Sequence, residues 1–451
     1  MNTKHPLFNL SFNARAGAMI KGWPSLDKQP GREGCFDWSD GIQTVKTPLA
    51  LVIEVLQKVE IEKIQKAKRI IVLFNPEFIL PLVVLFKVDI NKIVFVCDVP
   101  NKEKLVKLDG KSPVIFTLPQ EQQQEKDMVE TMVSDLYKAF PGGFDVIVGN
   151  PPYQNENTSS LYADIVLQFA KQSPQAELCF IIPGVWLTKL QTETDKHSSL
   201  KRALVNHGLK SIDYFDKDDA AAKFNWPTIP GGVCFFTAGP EAGSIEVNNR
   251  TFGHKILISQ HDIKNIPNIP LNTIDTSIIA SVCAKTKSEK TVDKIHNRGK
   301  IKSNTISTGG PVKCYLSKGR SSSRREIFVD AIGVPHVDTV KCSFSYYCQT
   351  SLHDFLVVDK GEICSESFMY FNFDTVGQCN NFASYSRTVL FRFLRRLVTL
   401  NFAASSKTFQ LIPVIDFNRS WDDLSVNSLF GITDEEYHAM SEFVNLPENF
   451  S

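Results

Sequence analysis

The chain lacks any uninterrupted apolar run of about 18 residues, so nothing in it reads as a membrane-crossing helix. Its first residues, MNTKHPLFNLSFNARAGAMIKGW, contain no compact apolar core of the kind a secretory signal carries. The expected location is therefore cytoplasmic, with no membrane partner. Ten cysteines are present, yet no two are spaced as CxxC. Cys97, Cys179 and Cys234 sit in apolar, strand-like runs, as buried reduced thiols do. The closest pair, Cys342 and Cys348, has no matching Cys/His pair nearby, so no zinc site is expected. A large excess of one charge is also missing, the formal total being +1.

That balance is local cancellation. Residues 296–420 hold sixteen Lys and Arg against nine acidic residues, a segment charge of +7, whereas residues 421–451 hold seven acidic residues and no Lys or Arg. A basic region of this kind can neutralise phosphates, or it can be an ordinary solvated face.

At 451 residues the chain exceeds the usual single domain. From residue 47, strand-like and helix-like segments alternate. Thr47-Pro48 caps and starts a helix, LALVIEVLQKVEIEKIQ. RIIVLF, KIVFVCD, VIFTLP, FDVIVG and ELCFIIPGVWL read as successive strands. Between them lie FILPLVVLFK (ambiguous in type), EQQQEKDMVETMVSDLYKAF and the amphipathic LYADIVLQFAKQS. This alternation implies parallel βαβ units and an α/β, doubly wound sheet. GGVCFFTA reads as a late strand of the same domain. Beyond residue 245 short β-like runs and Ser, Gly and Lys-rich turns take over, with one helical segment, SYSRTVLFRFLRRLVTLNF. The expected division is an N-terminal extension (1–45), an α/β domain (46–245) and an α+β domain (246–451).

The chemistry is concentrated in FDVIVGNPPY. A buried strand ends in Asn150-Pro151-Pro152-Tyr153, at the carboxyl end where open parallel sheets bind ligands. The two prolines fix φ and bias Asn150 toward an extended conformation. Asn150 brings a side-chain acceptor, and Tyr153 a flat ring. Two acceptors, the Asn150 side-chain oxygen and the Pro151 backbone oxygen, beside a stacking ring suit a planar heterocycle with an exocyclic amine. Holding both amine hydrogens localises the lone pair for attack on an electrophilic methyl.

NPPY in this setting resembles the catalytic motif of S-adenosylmethionine-dependent, adenine-specific DNA methyltransferases of restriction-modification systems. The resemblance covers residues 45–240 and follows the gamma motif order; the last residues, from FQLIPVIDFNRSWDDL on, are similar to a C-terminal segment of the group. It implies a Rossmann-like, class I methyltransferase sheet followed by a target-recognition domain. It also implies S-adenosylmethionine as cofactor, held by Thr47 and Pro48 at its methionine end, Asp98 at the ribose, and Phe116 and Thr117 near the adenine ring. The catalytic residues would be Asn150, Pro151, Pro152 and Tyr153. KFNWPTIPGGVCFF resembles the segment that sets an aromatic against a flipped base, so Tyr153 with Phe224 or Trp226 would sandwich it; both could equally anchor a turn. The family has a glycine-rich turn after its first strand, but this chain reads LFNPEFILP, where Asn75 and Glu77 could accept from the cofactor's ammonium. The implied partners are double-stranded DNA and a cognate restriction endonuclease. Lys318, Arg320, Arg324, Arg325, Arg395 and Arg396 are the candidate DNA contacts. Alternatives from the same residues are RNA or protein amines as acceptors, or a DNA-binding protein without methyl transfer.

Overall fold

The computed structural model describes residues 47–97, 112–117, 128–153, 160–188, 195–224, 229, 231–241, 243–259, 261–266, 268–271, 274–301, 308–317, 324–330, 333–345, 355–398 and 406–445. The N-terminal extension expected over 1–45 lies outside them, as do Asp98, Trp226, Lys318 and Arg320. The chain divides into two compact units, the first closing at Lys264 and the second beginning at Asn265.

The first unit is mixed α/β and is built on a large mixed sheet. Its strands are β1 (Ile70–Leu73), β2 (Ile93–Cys97), β3 (Val114–Thr117), β4 (Val146–Gly149), β5 (Glu177–Pro183), β6 (Leu209–Phe215), β7 (Val233–Ala238), β8 (Ser244–Asn249) and β9 (His254–Ser259). Among the described residues they lie in the order β3-β2-β1-β4-β5-β7-β6-β8-β9. β3, β2, β1, β4 and β5 run parallel; β7 is antiparallel to both β5 and β6, and β8 runs parallel to β6. The continuous apolar runs explain the central position of β1, β4, β5 and β7, every residue of which is buried.

Helices α1 (Leu49–Leu56), α2 (Ile61–Lys66), α3 (Ile79–Val84), α4 (Met128–Ala139), α5 (Leu161–Gln172), α6 (Lys196–His207) and α7 (Lys217–Phe224) belong to this unit. The single helix expected after Pro48 is two, because successive turn bonds from Lys58 and Val59 to Val55 and Leu56 tighten the chain out of the α-helical ladder. The ambiguous FILPLVVL segment is helical over α3. β6 and the helices flanking it carry no strong periodic signal. α6 is instead set by its ends: Asp195 accepts from the N–H groups of His197 and Ser198 (3.0 and 3.4 Å), and Gly208 closes it at φ 94°.

The boundary read at residue 245 falls inside β8, since β8 and β9 add to β6 and extend the sheet. Their burial alternates, one face in and one out, which in sequence looks like the short strands that follow.

The second unit combines two small sheets with helices. β10 (His296–Arg298), β16 (Phe368–Phe373), β13 (Val340–Ser345) and β14 (Leu356–Val358) form one antiparallel sheet; β12 (Arg324–Val329), β11 (Thr308–Ser317) and β15 (Ile363–Cys364) form the other. α8 (Thr276–Lys285), α9 (Val376–Ser386), α10 (Val389–Leu397), α11 (Asp423–Phe430) and α12 (Asp434–Asn445) accompany them. Phe344, Phe371, Phe382 and Phe409 make its aromatic core, with Phe371 and Phe382 centroids 4.5 Å apart. The expected single helix around residues 384–402 is interrupted at Thr388, whose hydroxyl accepts from Phe391 N–H and so starts α10 anew. Among the described residues no helix is long and apolar enough to cross a membrane.

Candidate active site

β1 and β4 are neighbours, and their last residues, Leu73 and Gly149, are paired. A Cβ on Gly149 would stand 2.6 Å from the Leu73 carbonyl oxygen and 2.9 Å from its Cβ, so only glycine lets the two strand ends close together. Each strand then opens into a loop. After β1, Phe74 adopts φ 62°, its N–H donates to Val96 O (2.9 Å), and Asn75 N–H turns back to Leu73 O (2.8 Å). This is a three-residue γ-turn of the positive-φ kind, a strained geometry for a residue other than glycine. Phe74 thus holds a positive φ that a glycine would adopt without strain.

After β4 comes Asn150, with no exposed surface. Its backbone N–H donates to Asn75 Oδ1, and its Nδ2 donates to Thr47 Oγ1, each at 3.2 Å. Three of the residues singled out in the sequence are therefore joined by direct hydrogen bonds. Thr47 and Asn75 are each 3 % exposed, while Pro48 occupies the N-cap position of α1 and Glu77 is half-buried beside Asn75. Pro151, Pro152 and Tyr153 are buried.

The Tyr153 ring meets Tyr162 edge-on at 6.3 Å, and Tyr162 stacks on His197 at 5.9 Å. His197 Nε2 lies 3.1 Å from Ser160 Oγ, which fastens the start of α5 to the start of α6. Burial pushes the phenols of Tyr153 and Tyr162 well above their usual range, and the Cys234 thiol up to about 12. The wall beyond Asn150 is therefore neutral and aromatic. Sequence reading reached Tyr153 but missed Tyr162, Ser160 and His197. Tyr162 had a weak signal, as an aromatic opening the helix after the loop; His197 had none.

The remaining candidates stand apart. Phe116 is half-buried on β3, two strands from β1, and Thr117 ends that strand. Phe224 is buried (2 % exposed) at the end of α7. Arg324 and Arg325 lie at the start of β12, paired with Ser317 and Leu316. Arg395 is 8 % exposed. Arg396 donates to Phe443 O (2.7 Å), and its guanidinium sits 5.2 Å from the Phe443 ring centre. Arg396 thus serves the packing of α10 on α12, while Arg395 is buried on the same amphipathic helix.

Residues 85–220, which include Asn150, match the family model described as the Eco57I restriction-modification methylase. The resemblance to restriction-modification methylases read from NPPY is borne out by this match. A curated relative from Mycoplasma pneumoniae (strain ATCC 29342 / M129 / Subtype 1), described as an uncharacterized adenine-specific methylase, is 34 % identical over 103 residues, covering 21 % of this chain and 23 % of that protein. Among solved structures, the type IIG restriction endonuclease BpuSI aligns at a TM-score of 0.39 and 11 % identity, over 91 % of this chain and 62 % of that one. The type IIL restriction-modification enzyme MmeI, solved in complex with DNA, aligns at 0.46 and 10 %, over 81 % and 67 %. The chain thus spans under a quarter of the curated relative and under two thirds of BpuSI.

Proposed function

We propose that the protein transfers a methyl group from S-adenosylmethionine to the exocyclic 6-amino group of adenine in DNA, as the modification activity of a restriction-modification or phage-protection system. The observation that carries this reading is the buried, doubly hydrogen-bonded Asn150 at the carboxyl end of the central strand β4. The order β3-β2-β1-β4-β5-β7-β6, with β7 the one reversed strand of those seven, supports a Rossmann-like sheet of the class I methyltransferase type.

The residues present fit the cofactor. A hydroxyl (Thr47), an amide (Asn75) and a carboxylate (Glu77) gather at the end of β1, suiting the charged amino-acid end of the molecule. Phe116 offers a ring on β3, and Asp98 and Thr117 are the proposed ribose and adenine-side contacts. When bound, S-adenosylmethionine supplies an electrophilic methyl group on a positively charged sulfur.

The chain's own residues do the rest. The Asn150 side-chain oxygen and the Pro151 backbone oxygen accept the two hydrogens of the target amine, which localises its lone pair. The neutral Tyr153 ring stacks on the base after it leaves the duplex, a step costing a few kcal/mol. Phe224 and Trp226 are the proposed opposite face. The second unit is the proposed target-recognition domain, with Lys318, Arg320, Arg324 and Arg325 at the β11–β12 connection contacting double-stranded DNA. A separate endonuclease would be the cognate partner.

The test is transfer of label from radioactive S-adenosylmethionine to unmodified DNA, with calorimetry of cofactor binding on the same sample. Label that appears with the native protein and disappears in Asn150→Ala, while DNA binding persists, is the expected result. A second reading, a DNA-binding protein without methyl transfer, rests on Phe74 standing where glycine is expected; it predicts neither label nor cofactor heat. RNA and protein acceptors are separated by competition against duplex DNA.

A further inference from the structure

We infer that Thr47 is a positioning residue for the amide of Asn150, beyond any contact it makes with cofactor. This rests on the methyl-transfer reading above. The Asn150 side chain can turn about its Cβ–Cγ bond, exchanging the places of its oxygen and its NH2 group. Only one of those two states offers an acceptor to a substrate amine.

The Thr47 hydroxyl oxygen accepts from Nδ2 at 3.2 Å, inside a site where both residues are almost fully buried. A bond in such surroundings is stronger than one in water, so it holds the plane and place of the amide group; a hydroxyl also donates, so the bond survives either flip. In the orientation seen, Nδ2 faces Thr47 and covalent geometry directs Oδ1 away from it.

The anchor itself is rigid. Pro48 O accepts from Leu51 and Val52 N–H (2.9 and 3.1 Å) at the start of α1, and five of the eight residues of α1 are buried. Val55 O of the same helix takes the Cys179 thiol of β5 at 3.4 Å. Asn75 fixes the other end of the residue by accepting its backbone N–H. Asn150 is thus clamped at two atoms, from two different loops, each flanking the proposed cofactor site.

The experiment uses Thr47→Val, which keeps the shape and removes the acceptor, and Thr47→Ser, which restores it. At saturating cofactor and DNA the valine variant slows single-turnover methyl transfer by roughly 10–100-fold. Because the cofactor is saturating, a loss of cofactor affinity does not enter this rate, and the serine variant recovers most of the rate. A valine variant with weakened cofactor binding and an unchanged rate would overturn the inference and make Thr47 a plain cofactor contact. If the valine variant does not fold, Thr47→Ala takes its place under the same reading.

A readout independent of turnover is the side-chain NH2 signal of Asn150 in protein carrying 15N asparagine, assigned by its loss in Asn150→Asp. Protection of that signal from solvent exchange in the native and serine proteins, lost in the valine protein, is expected; equal protection in all three overturns the clamp. A native protein that transfers no methyl group refutes the proposed function while this arm still decides the role of Thr47.

Discussion

Asn75 and Asn150 are seventy-five residues apart in the chain, and the side-chain oxygen of the first accepts the backbone N–H of the second at 3.2 Å. The turn that follows β1 and the loop that follows β4 are therefore one hydrogen-bonded object. Movement of either would be felt at the other.

Phe74 is the strained member of that object. A left-handed conformation costs an L-residue about 1–2 kcal/mol, and a β-branched residue more. Phe74→Gly should leave stability within about 1 kcal/mol of native, the relief of strain offsetting lost burial and added chain entropy. Phe74→Val should lose roughly 1–3 kcal/mol in urea unfolding. Equal tolerance of glycine and valine would mean that the backbone of the turn does not dictate the residue.

Gly149→Ala tests the close approach of β1 and β4. Its new Cβ would press on the Leu73 carbonyl, so the strand ends must part. A loss of roughly 1–3 kcal/mol is expected, together with slower methyl transfer, since Asn150 is the next residue. A variant as stable and as fast as native would show that the gap between the strands gives way freely.

Much of this was legible in the sequence. The apolar runs around Ile71, Val94, Ile147 and Phe180 announced the central strands because strands covered on both faces need no polar alternation. NPPY announced the site because few local structures need an amide, two prolines and a ring together. What stayed hidden depends on contacts between distant segments. Nothing near Thr47 says that its hydroxyl meets Asn150, and nothing near His197 says that it will pair with Ser160. Arg395 and Arg396 read as a basic patch, yet Arg395 is buried and Arg396 is bonded to Phe443 of α12.

Those arginines give a contrast that DNA binding can measure. Arg396→Ala removes a bond to the Phe443 carbonyl and a ring contact, and should cost roughly 1–3 kcal/mol of stability. It should leave the salt dependence of DNA affinity unaltered. Arg324→Ala with Arg325→Ala should reduce that salt slope by up to about 2. The reverse pattern would move the DNA contact to α10.

His296 supplies a pH dependence in the second unit. It lies among Phe344, Phe371 and Phe409, and burial lowers its pKa to about 4 against the opposing pull of Asp293. The unfolded chain takes up a proton near pH 6.5, whereas the folded one does so only near 4. Stability from this group is therefore full above about pH 6.5 and falls as pH drops toward 4. Calorimetric unfolding at pH 7 and pH 5 should show the loss in the native protein and a smaller one in His296→Phe. Matching losses in both would assign the effect elsewhere.

Tyr153→Ala should weaken the extrahelical state of the target base. The fluorescence rise of 2-aminopurine at the target position is expected to change relative to native protein; identical signals would remove Tyr153 from the stack.

The steric slot shared by Leu73 and Gly149 also bears on how this lineage can drift. A side chain acquired at position 149 would meet the backbone carbonyl of residue 73 whatever side chain that residue carries. No compensating change at position 73 can reopen the slot. Glycine should therefore persist at position 149 across related chains, while position 73 drifts among residues that suit a buried strand.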